Sequence, residues 1–205
     1  MINSPQLIDF QVLTDVELVQ WILSGNRIGF NELMRRHQTR LFAFLQQMSG
    51  LESNEIEDLV QETFVKAYVS LDTFDYSVYH SDKAFGTWLF TIGRRILLNA
   101  LRKSKRDRLV FFSASETTEK RKETIPDKAL IPAQSVERLD SRQNLWSKIR
   151  TVLTEPQWTA LWLQYVENCS MEEIAAAIGK KPQSVKALIH RAKCTLQKHP
   201  EIFEC

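Results

Sequence analysis

A chain of 205 residues has room for one large domain or two small ones, and 43% hydrophobic with 25% charged residues is ordinary for a globular protein. A net charge of +2 is too small to point to a partner, no run of about 18 apolar residues offers a membrane span, and Cys169, Cys194 and Cys205, scattered and odd in number, suit a reducing cytoplasm rather than a disulfide framework. The opening MINSPQLIDF has no basic stretch followed by an apolar one, so no secretory signal is expected.

Glycine and proline are scarce and apolar residues recur at three and four, so the chain reads as all-α, with one weak strand candidate at Leu109 to Phe112. A capping box, Thr14 with Glu17, opens a first helix that stops by Gly25. A second helix is expected over about Ile28 to Met48, with Phe30, Leu33, Leu41, Phe44 and Leu45 inward. A third covers about Glu55 to Leu71, a loop spans Asp72 to Ala84, and a fourth helix covers about Phe85 to Lys103. From Ser104 to about Val136 the composition turns polar, with two prolines, and reads as a linker. Shorter helices follow at about Asp140 to Leu153, from Pro156 to near Glu167, and from a second capping box at Ser170 and Glu173 to Ile178. After the turn Gly179-Lys180-Lys181, Pro182 opens a last long helix to about Lys198. The expected organisation is two small helical domains, 1–105 and 139–205, joined by a flexible linker at 106–138.

The segment MEEIAAAIGKKPQSVKALIHRAKCTL has the form of a helix-turn-helix. At 100° per residue Val185, Leu188, Ile189, Ala192 and Leu196 share one face, while Gln183, Ala187, His190 and Cys194 lie opposite, flanked by Lys186 and Arg191. That outward face suits a DNA major groove, since Pro182 to Lys198 holds four Lys/Arg and no acid. A helical hairpin with a solvated basic face is the plainer alternative. His190 and Cys194 stand at metal-compatible spacing, but a lone pair is too few for zinc.

In DLVQETFVKAYVSLDTF, Ile56, Val60, Phe64, Ala67 and Leu71 form the core face, and Asp58, Gln61, Glu62, Val65 and Val69 the other. Valines among acids suggest a protein-binding surface with an apolar centre and a charged edge. Five acids and no Lys/Arg between Glu52 and Glu62 point to a basic partner, or simply favour the helix amino end. The fourth helix has the opposite sign. Its core face is Phe85, Leu89, Ile92, Gly93, Ile96 and Ala100, its other side carries Thr87, Thr91, Arg94, Arg95 and Arg102, and Trp88 lies at the edge. Seven Lys/Arg from Arg94 to Arg108 exceed what a helix end needs and suit single-stranded or melted nucleic acid.

Taken together, FNELMRRHQTRLFAFL, DLVQETFVKAYVSLDTF, FGTWLFTIGRRILLNALRK and TALWLQYVENCSMEEIAAAIGKKPQSVKALIHRAKCTL resemble, in order and separation, the extracytoplasmic-function group of sigma-70 factors. The resemblance implies a region 2 domain first and a region 4 helix-turn-helix domain last. It implies that Asp58, Gln61, Glu62 and Val65 dock on the clamp helices of the RNA polymerase largest subunit, with the flap as a further partner on the core. It implies that Phe74, Lys83, Phe85, Thr87, Trp88, Arg94 and Arg95 capture a flipped base and melted strand of the minus-ten element. Gln183, Ser184, Lys186, Ala187, His190 and Arg191 would read the double-stranded minus-thirty-five element. An anti-sigma protein is the family's common restraint. Arg95 and Asn99 stand where the family usually has Asn and Asp, Lys181 replaces a capping Ser, Thr154-Glu155-Pro156 replaces a Leu-Pro entry, and Trp158 replaces a frequent Arg.

A helix-turn-helix repressor would explain residues 140–200 but would leave the third helix's outer face without a task. Paired carboxylates beside metal ligands, a Gly-rich phosphate loop and a nucleophile triad are all missing from the sequence, so a non-catalytic, cytoplasmic initiation subunit with no cofactor, no metal and no membrane insertion is expected.

Overall fold

The computed structural model describes residues 10, 12–76, 83–114 and 145–203, with side chains described as far as 104 in the long helix that ends at 114. All regular structure among them is helical: α1 (Asp15–Leu23), α2 (Gly29–Ser49), α3 (Ser53–Val69), a 3-10 turn (Leu71–Thr73), α4 (Ala84–Ala114), α5 (described at 145–152), α6 (Glu155–Tyr165), α7 (Met171–Ile178), α8 (Pro182–Gln197) and a closing 3-10 turn (Pro200–Ile202). The linker beyond 114 and the expected helix start at Asp140 lie outside the described residues.

Local chemistry sets most helix ends. At α1 the Thr14 amide donates to the Glu17 carboxylate (2.7 Å) and the Glu17 amide returns a bond to Thr14 Oγ1 (3.3 Å). Ser170 and Glu173 make the same exchange at α7 (2.8 and 3.2 Å). At α6 the Gln157 side-chain oxygen accepts from the Thr154 amide at 2.9 Å, so this helix begins one residue before Pro156. Helix α2 stops where Gly50 turns left-handed (φ +69°), as α7 does at Gly179 (φ +68°). Helix α4, by contrast, runs eleven residues past Lys103, through the expected linker start and the strand candidate Leu109 to Phe112. No glycine or proline interrupts residues 104–114, and Lys and Arg are good helix formers.

Helices α1 to α4 enclose Leu18, Leu33, Leu41, Phe44, Leu45, Ile56, Phe85, Leu89 and Leu97, all without solvent exposure. Gly93 lets α4 approach α2 and α3, since a Cβ there would stand 2.9 Å from Leu41 Cδ1 and 3.3 Å from Thr63 Oγ1. The carboxy-terminal helices bury Trp158, Leu163, Ile174, Val185, Ile189 and Ala192. These two sets belong to one continuous core. The Phe44 ring lies 5.1 Å from Phe90, 5.9 Å from Trp158 and 6.1 Å from Trp162, and Trp158 and Trp162 stack at 5.1 Å with Trp146 edge-on to Trp158. The halves expected on a tether therefore pack directly on each other, α7 against α4 and α6 against α2.

A polar network pins α1 to α2. His37 Nε2 donates to Asp15 Oδ2 at 2.6 Å, and Arg36 donates to Asp15 Oδ1 (3.0 Å), Glu32 (2.7 Å) and the Leu13 and Phe10 carbonyls (2.8 and 2.7 Å). Burial pushes the Asp15 carboxyl up, but His37 and Arg36 together outweigh burial and hold it below the usual carboxylate range. Hydrogen bonds from Arg35 and Arg36 bring Glu32 down to about 2. Because the folded value of Asp15 is depressed, its contribution is complete above pH about 4 and is lost as pH falls through that folded value. Asp15→Asn should lower stability at pH 7 by about 1–3 kcal/mol and flatten the loss below pH about 4, as followed by thermal unfolding across a pH series.

Candidate nucleic-acid interface

Helix α3 separates inside from outside cleanly. Ile56, Leu59, Thr63, Phe64 and Ala67 are buried, and Val60, expected in the core, is half-buried. Asp58, Gln61 and Glu62 are exposed, with Val65 64% and Val69 70% exposed beside them. Grooves flank this ridge on both sides. One of about 560 Å³ runs between α3 and α4 and is lined by Glu62, Val65, Val69, Trp88, Ile92 and Arg95. The other, about 350 Å³, lies toward α2 between Thr39, Phe42, Glu57, Val60 and Gln61. Val60 forms a wall of this second groove, which is why it keeps solvent contact.

At the start of α4, Phe74 lies 5.4 Å from Trp88 and 6.1 Å from Phe85, whose own rings are 5.9 Å apart. Phe74 and Lys83 are half-buried, Trp88 is nearly covered and Phe85 is fully covered, so Phe74 is the accessible ring of the three. Residues 77–82 of the preceding loop lie outside the described residues.

Thr87 requires a correction. Helix periodicity places it on the outward side of α4, but it is only 1% exposed, because the carboxy-terminal helices cover that side. Its hydroxyl lies 3.2 Å from Cys169 Sγ and 3.2 Å from the Lys83 carbonyl. Burial pushes the Cys169 thiol up to about 11, so it stays protonated at neutral pH. Arg94 is also engaged. Its Nε and Nη2 grip the Glu155 carboxylate at 2.6 and 2.9 Å, and the Thr159 hydroxyl donates to the same carboxylate at 2.9 Å. Arg95 and Arg102 remain exposed.

In α8, Val185, Leu188, Ile189 and Ala192 are buried and Leu196 is half-buried. Gln183, Ser184, Lys186, Ala187, His190 and Arg191 are all exposed along one side. Lys193 is drawn aside, its Nζ 5.3 Å from the Tyr165 ring centroid. Cys194 Sγ lies 3.7 Å from His190 Nε2, and no group of three or more His, Cys, Asp or Glu among the described residues is placed to hold a metal.

Models of two families match the chain: Sigma-70 region 2 over residues 33–107 and Sigma-70, region 4 over residues 151–196. RNA polymerase sigma factor NccH of Alcaligenes xylosoxydans xylosoxydans is 30% identical over 188 residues, 89% of this chain and 92% of NccH. The chain belongs to the extracytoplasmic-function group of the sigma-70 family. As such it is an initiation subunit that directs bacterial RNA polymerase to promoters. Relatives of this sigma factor include SigW of Bacillus subtilis strain 168 (25% identity, 88% of this chain and 93% of SigW) and the sigma-E factor of Escherichia coli K12 (29%, 88% and 91%). Its fold matches CnrH, solved with the cytosolic domain of CnrY (TM-score 0.63, 24% identity, 92% of this chain and 98% of CnrH). It also matches RpoE of Bartonella quintana, solved with the anti-sigma factor NepR (TM-score 0.57, 25% identity, 85% and 96%).

Sequence reasoning missed Glu155 and Cys169 as contacts, because Arg94 and Thr87 lie 61 and 82 residues away, and it missed the seating of Trp162 on Phe44 for the same reason. It did single out Lys181, which stands at the amino cap of α8 without a side-chain cap bond. Lys181→Ser in this sigma factor should supply that bond and raise stability by about 0.5–1 kcal/mol, read as an increased urea midpoint with unchanged slope.

Proposed function

We propose that α3 docks on the polymerase core through Asp58, Gln61, Glu62 and Val65, with the clamp helices of the largest subunit as partner and region 4 at the flap. The observation that carries this reading is the pair of exposed valines, Val65 and Val69, with the carboxylates of Asp58 and Glu62 on their amino-terminal side, on a helix whose opposite face is fully packed. An apolar centre with a charged edge is the anatomy of a protein interface.

Phe74, Lys83, Trp88, Arg94 and Arg95 serve the minus-ten element, with Phe74 as the ring nearest a flipped base. Phe85 and Thr87, buried here, act by positioning that cluster rather than by touching DNA. Unpairing and unstacking a base costs a few kcal/mol, which stacking and cationic contacts offset. Gln183, Ser184, Lys186, Ala187, His190 and Arg191 read the minus-thirty-five duplex, with Lys186 and Arg191 on phosphates. The protein performs no covalent chemistry and works in the cytoplasm, where the polymerase is. Restraint by an anti-sigma factor is supported by the complex of RpoE with NepR.

The direct test is reconstitution of bacterial core polymerase with this protein on fragmented genomic DNA. Specific transcripts should depend on the added chain, and transcription indifferent to it contradicts the reading. Glu62→Lys should weaken core binding about tenfold, measured by fluorescence anisotropy against core. Lys186→Ala should weaken promoter binding across sequences and reduce the slope of log affinity against log salt by about 1.

A further inference from the structure

The Arg94–Glu155 pair has a consequence for DNA binding. A guanidinium fork accepts a carboxylate and a phosphate in the same two-pronged geometry. Glu155, from the carboxy-terminal half, fills the Arg94 fork with both carboxylate oxygens, and both side chains are largely withdrawn from solvent (17% and 29% exposed). The end of α7, Ala176 to Gly179, closes over the same side of α4 and leaves a cleft of only about 270 Å³ against Thr91, Arg94, Arg95 and Arg102. Around it lie three further ties between the halves: Thr87 with Cys169, Arg40 with the buried Glu167, and Arg150 with the Ser49 carbonyl at the carboxyl end of α2. The exposed side of α8 takes no part in these contacts.

We infer that Glu155 is an intramolecular stand-in for DNA phosphate: it occupies Arg94 in the free chain and so holds the region 4 half over the strand-binding side of α4. The inference rests on the reading of Arg94 as a minus-ten residue. The closed chain presents α8 to duplex DNA while withholding the Thr87 and Arg94 side of α4 from a single strand, with Arg95 and Arg102 left exposed. Strand binding requires the halves to part, and its apparent affinity is reduced by the fraction of chains that are open. Phosphate and Glu155 then compete for one guanidinium, so each weakens the hold of the other.

The full-length chain tests this with a fluorescent, mixed-sequence single-stranded oligonucleotide at low salt. Glu155→Gln keeps the shape of the side chain but removes its charge, and should bind the strand roughly tenfold tighter than the parent. It should also show a larger radius of gyration by X-ray scattering. A lock controls for damage to α6: Thr87→Cys, with Cys194 and Cys205 changed to serine, places a second thiol against Cys169. Diamide oxidation of that pair should weaken strand binding about tenfold, and dithiothreitol should restore it. Oxidised protein that binds the strand as well as reduced protein overturns the inference. Equal affinity of parent and Glu155→Gln, with Arg94→Ala weaker than both, overturns the role of Glu155 but leaves Arg94 a strand-binding residue. If Arg94→Ala costs nothing in the Glu155→Gln background, the reading of Arg94 itself fails, and the phosphate substitution with it.

Discussion

Phe44 meets Phe90, Trp158 and Trp162 in a single aromatic seam, and the joining of the two halves depends on it. Large aromatic side chains remove more surface from water than any other type, and truncating one in a core typically costs about 3–5 kcal/mol. The ion pairs between the halves add less net stability, because each gives back much of its attraction in desolvation. Burial is also non-directional, so the seam alone does not fix how the halves are turned. The polar ties do: Arg94 grips Glu155, Arg40 reaches Glu167, and Arg150 caps the last carbonyl of α2. Gly50 serves that last contact, since a Cβ there would stand 2.6 Å from the Arg150 guanidinium.

The consequence is an unequal treatment of the two proposed nucleic-acid surfaces. Helix α8 keeps Gln183, Lys186, His190 and Arg191 in solvent, while the Thr87 and Arg94 side of α4 is covered. The ridge of α3 proposed to face polymerase is untouched by the packing, with Val65 and Val69 both exposed. On the proposed reading, a free chain closed in this way has its core-binding face ready and the Arg94 side of its strand-binding face guarded. Arg94 then becomes available to a strand once polymerase has drawn the halves apart, whereas Arg95 and Arg102 are exposed already.

Much of this was legible in the sequence because it is local. Capping boxes at Thr14 and Ser170, the left-handed glycine ending α7, and the apolar periodicity of α3 and α8 depend on residues three or four apart, and the structure shows each. Periodicity also separated the exposed Asp58, Glu62 and Val65 from the buried Ile56 and Phe64. It failed at Thr87, since a helix with two buried sides gives no warning when the second side is covered by a distant segment. It failed at residues 104–114 for a different reason. A charged stretch reads as solvated linker, yet without glycine or proline nothing stops the helix. The partners that Glu155, Glu167 and Cys169 find in the other half, Arg94, Arg40 and Thr87, lie 61 or more residues away, beyond the reach of any local pattern.

One distance decides whether the halves that pack so closely in the free chain must separate to work. Fluorophores attached at Lys103 on α4 and Lys198 after α8, both exposed, would report it by single-molecule energy transfer. The free chain should give one high-transfer population, replaced by a low-transfer population on adding core polymerase and promoter DNA. An unchanged transfer efficiency in a transcribing complex would contradict a closed resting state that opens for promoter binding.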